Sequence, residues 1–470
     1  MEVFVMKHTN DLGRDAIPSL VLKLAVPAMI AQFVNVLYSI IDRMYIGNIK
    51  SIGHLALAGV GICGPIVSLL SSFGTLIGLG GSILMAMKLG EGNKAKAKQI
   101  LSNCFFMLIL FSFVLTILFL ICKNQLLMWF GASEVTFPYA NTYLTIYTAG
   151  TFFALMAMGL NYFITCQGFS TVGMATVLVG AIINIILDPI FIFAFHMEVA
   201  GAALATVIAQ FISCVFAVGF LFSKRVLIRI SFGDYSKAIM KKVLILGLSP
   251  FLILASDNLI LLVMNTVLQK YGGAQEGDML ISCVTIVQSY LQLITGPMIG
   301  ISGGTQAIIS YNYGARASGR VKSAEWHILK LCLLFTTMMF LLSQIFPHYF
   351  VSVFTSDPAY QKLSIWGIKV FTLAIIPLSL QYVFVDGLTA LGCTKISLYL
   401  SLFRKISYML FAIFLPMFFT AKAAFYAQPL ADILSSLQST IVFLLVLNPY
   451  LKKHELEPIH RQEDRSAASL

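Results

Sequence analysis

Apolar residues in this chain come in long runs separated by short polar stretches. They follow neither the one-sided spacing of an amphipathic helix nor the alternation of a half-buried strand. Lipid offers no hydrogen bonds to a bare backbone, so such runs must be helices or strands of a closed barrel. Barrel strands would alternate over about ten residues, whereas these runs extend for about 20 or more, the length a spanning helix needs. The pattern predicts twelve spans. In the first half they cover residues 17–46, 54–89, 100–122, 138–166, 172–195 and 201–222. In the second half they cover 243–268, 279–313, 326–347, 363–391, 396–420 and 425–448. Several exceed the minimum length, which implies tilt or extension beyond the bilayer. The expected fold is an all-α polytopic membrane protein.

Composition strengthens this reading. Hydrophobic residues make up 59% of the chain and charged residues 11%, against ~45–50% and ~25% in soluble domains. The net charge of +11 does not call for a nucleic-acid partner, because Lys and Arg gather in one set of loops. With the N-terminus inside, the inner segments carry Lys88, Lys94, Lys96 and Lys98, then Lys224, Arg225, Arg229, Lys237, Lys241 and Lys242, then Arg316, Arg320 and Lys322, and further cations in the tail. The outer loops carry Lys50, Lys123, Lys270, Lys362 and Lys422. A bias of about four to one places both termini in the cytoplasm of a multi-pass cell-membrane protein. The eight cysteines lie mostly inside apolar runs without CxxC spacing, so neither disulfides nor a metal centre is expected. Met1 to Ala16 does not resemble a cleaved signal, and the first helix serves as its own insertion signal. Residues 1–222 and 243–448 form the expected halves, with a cytoplasmic linker at 223–242 and a polar tail at 449–470.

The two halves repeat. Pro27 and Pro250 are 223 residues apart, as are Asn35 and Asn258. Gly74, Gly78 and Gly81 match Gly296, Gly300 and Gly303, while Gly90 and Gly168 match Gly314 and Gly392. An even number of spans per half puts the pseudo-twofold along the membrane normal, with a cleft between two six-helix lobes suited to alternating access. Each matched proline removes a backbone hydrogen bond and is expected to kink its helix. The GxxxG pairs, Gly74–Gly78 and Gly296–Gly300, fit close helix packing.

Five carboxylates fall within spans: Asp42, Asp188, Asp257, Asp386 and Asp432. Each costs about 2.5–3.5 kcal/mol at a helix centre on insertion scales, so each requires a partner or a task. At the rise of an α-helix, Asp42, Asp188 and Thr206 lie roughly 6–10 Å below the outer ends of their spans, in one layer. Asn184 precedes Asp188 by one turn and shares its face. Pro189 cannot donate to the carbonyl of Ile185, which is left free beside that face. This oxygen-rich cluster would suit sodium, or one of two neighbouring carboxyls could carry a proton; plain helix-end packing is the alternative. Asp42 aligns with Asn265 and Asp188 with Ala412, so the cluster is expected in the first half only. Asn35, Asp257, Asn258 and Asp386 are candidates for a substrate cleft, although Arg404 or Lys405 could pair with the acids. Asp432 lies near the outer end of its span.

Other motifs carry less. Gly59, Gly61 and Gly64 spell GxGxxG inside an apolar run, with no strand before it, so no dinucleotide site follows. The chain has no Gly-Lys pair and hence no phosphate-binding loop of the ATPase type. The histidines show no metal spacing. The frequent Met and aromatic residues fit packing, with a few able to line an adaptable cleft. Trp129, Trp326 and Trp366 lie near span ends, where interface anchoring is expected.

Together, Asp42-Arg43-Met44-Tyr45-Ile46-Gly47 after Pro27, Leu55-Ala56-Leu57-Ala58-Gly59, Asn184-Ile185-Ile186-Leu187-Asp188-Pro189, Gly201-Ala202-Ala203-Leu204-Ala205-Thr206 and Tyr311-Asn312-Tyr313-Gly314-Ala315 resemble the multidrug and toxic compound extrusion (MATE) transporters over nearly the whole chain. The resemblance implies a V-shaped pair of six-helix lobes exporting organic cations, such as drugs, in exchange for sodium or protons. It also implies an ion site at Asp42, Asn184, Asp188 and Thr206, and acids in helices 7 and 10. No cofactor beyond the coupling ion and no enzymatic activity are implied, and a monomer is expected. A lipid-linked precursor flippase or metabolite exporter of the same superfamily is the alternative. A flippase would need a basic cleft, and few cations lie inside spans. A membrane aspartyl protease would need motifs that Asp42 and Asp188 lack.

Overall fold

A computed structural model describes residues 10–50 and 52–456. Among these the chain is almost entirely helical, without strands. The first half comprises α1 (Ile17–Gly47), α2 (Gly53–Gly90), α3 (Lys94–Trp129), α4 (Phe137–Ala149 and Thr151–Thr165), α5 (Ser170–Pro189) and α6 (Glu198–Phe222). One helical stretch, Lys237–Gly314, contains α7 and α8, divided at Gly273, where φ is 68° and ψ −170°. Then follow α9 (Ser318–Ile345), a short helix (Pro347–Phe354), α10 (Pro358–Phe371 and Ile375–Ala390), α11 (Thr394–Phe418) and α12 (Ala427–Leu456). Among the described residues ten helices are long and apolar enough to span, and twelve if the bent α4 and α10, with angles of 56° and 49°, each cross once. The expected linker is shorter than its polarity suggested, since α7 begins at Lys237. Its Val226, Ile228 and Ile230 are buried, and Asn103 of α3 accepts from the Ser236 amide at 2.7 Å. Likewise α12 continues past residue 449 to Leu456.

The repeat appears in the helix ends. Gly168 and Gly392 both have left-handed φ, 89° and 82°, and close α4 and α10 with the same pair of backbone bonds: Gly168 to Thr165 and Phe169 to Ile164, Gly392 to Thr389 and Cys393 to Leu388. A residue with a side chain would be strained at these caps. Gly90 and Gly314 serve close approach instead. A Cβ on Gly90 would overlap the Tyr311 carbonyl, and one on Gly314 the Met87 carbonyl. Each glycine thus meets the residue three before its repeat partner, and the two halves touch backbone to backbone there. Further along, α2 meets α7 at Gly80 and Gly247, and α1 meets α8 where Ala28 and Met29 face Gly300 and Gly304. Phe73 and Phe251 join mid-helix, with centroids 4.9 Å apart.

The matched glycines do not all do the same job. Gly78 lies against Gly159 of α4 within its own half, whereas Gly300 lies against α1 of the other half. Pro27 and Pro250 sit inside α1 and α7, which remain helical through them. The start of the chain crosses the contact between halves: Asn10 donates to the Gly168 carbonyl, while Asn312 and Arg320 donate to the carbonyls of Leu12 and Asp15. On α3, Phe113, Ile117 and Ile121 are exposed at helical spacing, as a lipid-facing stripe requires. Trp129 and Trp326 are exposed near helix ends. Trp366 is half-buried and packs on Phe425, with centroids 5.2 Å apart.

The backbone contact predicts a specific sensitivity. Gly247→Ala forces α2 and α7 apart and costs about 1–3 kcal/mol, as overpacking does. Thermal unfolding of the purified protein should show a lowered midpoint. Gly219→Ala, at a position with nothing within 4 Å, should leave the midpoint unchanged or raise it.

Candidate functional site

The structure brings Asp42, Asn184, Asp188 and Thr206 together. Asp42 is 9% exposed near the end of α1, and Asp188 is fully buried near the end of α5. The two carboxyls are close enough to interact. Asn184 Nδ2 donates to Asp188 Oδ1 at 3.2 Å and to Thr206 Oγ1 at 3.4 Å. The Thr206 hydroxyl in turn donates to the Ala202 carbonyl at 3.0 Å. The donors are therefore committed, whereas Asp42 Oδ1, Asn184 Oδ1 and Asp188 Oδ2 are buried with no hydrogen-bond partner. Among the described residues these three acceptor oxygens lack donors, a costly local imbalance because unpaired buried acceptors are unfavourable.

Local sequence explains the placement. Pro189 ends the regular ladder of α5, and the chain continues as a π-helical turn, Ile190–Ala194, a feature frequent at functional sites. Beyond it His196 and Glu198 have positive φ, 53° and 51°. The turn back into α6 sets Thr206 beside Asn184. An aromatic wall, not anticipated from the sequence, closes the site. Tyr38 is one turn before Asp42 and interacts with both acids. Tyr143 and Tyr147 stack with centroids 6.2 Å apart. The Tyr147 hydroxyl accepts from Gln210 at 3.2 Å and lies 3.5 Å from Ser71 Oγ. Spacing held a signal for two of these residues, since Tyr38 and Gln210 stand four positions from Asp42 and Thr206 on the same helix faces.

The other candidates separate. Asn35 is exposed on α1, two turns before Asp42. The side chains of Asp257 and Asn258 lie outside the described residues. Asp386 does not pair with Arg404; it accepts from Ser302 Oγ at 2.5 Å. Arg404 binds Asp432 at 2.8 Å, with side-chain exposures of 13% and 1%, and Gln428 donates to the other Asp432 oxygen at 2.7 Å. Asp432 thus has a structural partner. Glu325 of α9 is buried without a hydrogen-bond partner. It lies one residue before the predicted span and was missed as an intramembrane acid.

Comparison with known proteins gives a consistent picture. The MatE family profile matches residues 27–190 and 251–415, two copies offset like the prolines and glycines of the repeat. The chain is 26% identical over 370 residues to a protein named multidrug export protein MepA from Staphylococcus haemolyticus, covering 78% of this chain and 80% of that one. Among solved structures it resembles an outward-facing multidrug resistance MATE family transporter of the MOP superfamily, with a TM-score of 0.88, 21% identity, and coverage of 96% of this chain and 99% of that one. A MATE crystal structure in a bent conformation matches with a TM-score of 0.86 at 21% identity, covering 95% and 98%.

The ion pair between α11 and α12 yields a prediction. Asp432→Ala leaves Arg404 buried without its carboxylate and should cost about 3–5 kcal/mol. The thermal unfolding midpoint should fall. Substrate transport per folded molecule should remain, which separates this acid from Asp42 and Asp188.

Proposed function

The chain belongs to the MatE family, and from that premise we propose that it exports organic cations in exchange for sodium ions or protons. The observation that supports this reading is the trio of buried, donorless oxygens at Asp42, Asn184 and Asp188. As a family member the protein is a multi-pass membrane transporter with V-shaped six-helix lobes, not an enzyme. The names of its relatives point to drugs as substrates.

On this reading the coupling ion is a co-substrate. A sodium ion would take the free oxygens as ligands; a proton would sit between the two carboxyls. In either form it offsets one of the two negative charges of Asp42 and Asp188 and draws α1 toward α5. The same α1 packs through Ala28 and Met29 against Gly300 and Gly304 of α8. A change at Asp42 therefore reaches the other lobe through one helix, and Pro27, next to this contact, is where its ladder is weakest. A cationic substrate competes for the same negative charge, so ion and substrate exclude one another, which makes the process an exchange. One monovalent ion for one monovalent substrate moves no net charge, so the ion's concentration gradient alone drives it. A tenfold gradient supplies about 1.4 kcal/mol and sustains about a tenfold gradient of substrate.

The lysine and arginine bias places the start of the chain, Gly90 and Gly314 on the cytoplasmic side. Because the lobes meet there, the conformation is one closed to the cytoplasm. Residues 1–222 and 243–448 act as the two moving bodies.

Asp188→Asn keeps the shape of the site and removes the charge. In cells exporting a fluorescent organic cation, it should abolish gradient-dependent efflux at unchanged protein level, as should Asp42→Asn. Undiminished, gradient-dependent efflux by either variant would refute the assignment of this site.

A further inference from the structure

The connection between the halves carries a surface with no part in the ion site. From Phe222 to Lys242 the chain holds six cations, Lys224, Arg225, Arg229, Lys237, Lys241 and Lys242, against one acid, Asp234. This connection is fastened to the first half. The Ile230 amide donates to the Leu221 carbonyl at 3.2 Å, and the Ile228 amide to Gln167 Oε1 at 2.7 Å. Ser102 and Gln99 of α3 donate to the Gly233 and Asp234 carbonyls at 2.9 and 2.8 Å. Burial alternates along the connection: Val226, Ile228 and Ile230 are buried, whereas Arg225, Leu227 and Arg229 are exposed. Its outward side is therefore held in place, and it joins cations to large apolar groups. Leu227 is 60% exposed and Phe232 70%. Among the described residues Lys224, Arg225 and Arg229 have no acidic partner.

The position of this surface decides what it meets. Phe106, Leu110, Phe113, Ile117 and Ile121 are exposed at helical spacing on α3. They form a stripe about 22 Å long at the rise of an α-helix, and such a stripe faces lipid. Tyr235 packs on Phe106, the member of the stripe nearest the lysine-rich start of α3, with centroids 4.8 Å apart. Phe232 meets Phe105 at 5.9 Å and Phe222 at 6.3 Å. The aromatic groups of the connection thus continue the lipid-facing stripe to its end, a level that aromatic side chains favour in membranes. Lys224 and Arg225 follow directly after Phe222, where α6 ends. We propose that the outward side of this connection binds an anionic phospholipid. Lys224, Arg225 and Arg229 hold the headgroup phosphate, while Leu227, Phe232 and Tyr235 lie against the acyl chains. Arginine suits a phosphate because its planar fork makes paired, charge-assisted hydrogen bonds. A cluster of cations beside a span is the pattern that attracts anionic lipid. A soluble phosphate would satisfy the cations but leave Leu227 and Phe232 uncovered, so the two kinds of residue together select a lipid. Because the connection is tied to α3 and to Gln167 after α4, the lipid is carried by the first lobe.

The test is native mass spectrometry of the full-length protein in micelles that hold equal amounts of phosphatidylglycerol and phosphatidylcholine with the same acyl chains. The wild type should retain phosphatidylglycerol in preference to phosphatidylcholine. Arg225→Gln combined with Arg229→Gln, both at exposed positions, should weaken that retention at least about tenfold. Leu227→Ser should weaken it with every charge in place. Lys452→Gln combined with Lys453→Gln, an exposed pair on α12, removes the same charge elsewhere and should leave it unchanged. Equimolar inorganic phosphate should not displace the lipid. Gel filtration and the thermal unfolding midpoint verify that each variant is folded. The proposal is overturned if the wild type shows no preference, or if the folded Arg225/Arg229 or Leu227 variant keeps it undiminished. It is equally overturned if the Lys452/Lys453 variant loses as much, or if inorganic phosphate displaces the lipid.

Discussion

Inside the bilayer, α1, α5 and α6 gather more hydrogen-bond acceptors than donors. Water would hide such an imbalance at a surface. In a dry layer it persists, because each unpaired acceptor costs free energy that nothing nearby can repay. Asn184 uses both of its donor directions on Asp188 and Thr206, and Thr206 spends its proton on its own helix. On the proposed function the remaining deficit is met by a cation that arrives from outside. The proposed exchange of one cation for another needs such a site, vacant of internal partners and reachable.

The proposed coupling requires that the state of this site be felt across the cleft, and α1 touches both lobes. One end carries Asp42 toward α5, while its middle carries Ala28 and Met29 into contact with the glycines of α8. The backbone contacts at Gly90–Tyr311 and Gly314–Met87 are pseudo-symmetric, so the lobes meet as equals at their closed end. The carboxylates are not symmetric. Asp42 and Asp188 lie near the C-terminal ends of α1 and α5 in one lobe, whereas Glu325 lies near the start of α9 and Asp386 near the end of α10 in the other. The shared glycines thus mark where helices approach closely, and on the proposed function the unshared acids are what the movement responds to.

Much of this was legible in the sequence because membrane folds write their constraints in long runs. The twelve spans, the repeat and the grouping of Asp42, Asn184, Asp188 and Thr206 followed from run length, constant offset and helical depth. What was not legible depended on side chains meeting across helices. Asp386 could have claimed Arg404, but Asp432 lies nearer in the folded bundle. Glu325 escaped notice because a hydropathy boundary fell one residue beyond it. The matched Gly78 and Gly300 gave no hint that one packs within its lobe and the other between lobes, since a glycine records only that something comes close.

The most direct test of the proposed coupling is transport by the purified protein in liposomes, with a sodium gradient and a proton gradient imposed separately and a fluorescent lipophilic cation as substrate. The account predicts that at least one gradient drives movement of the cation against its own concentration difference, that collapsing that gradient stops it, and that ATP is not required. Uphill transport that continues after both gradients are collapsed would contradict it.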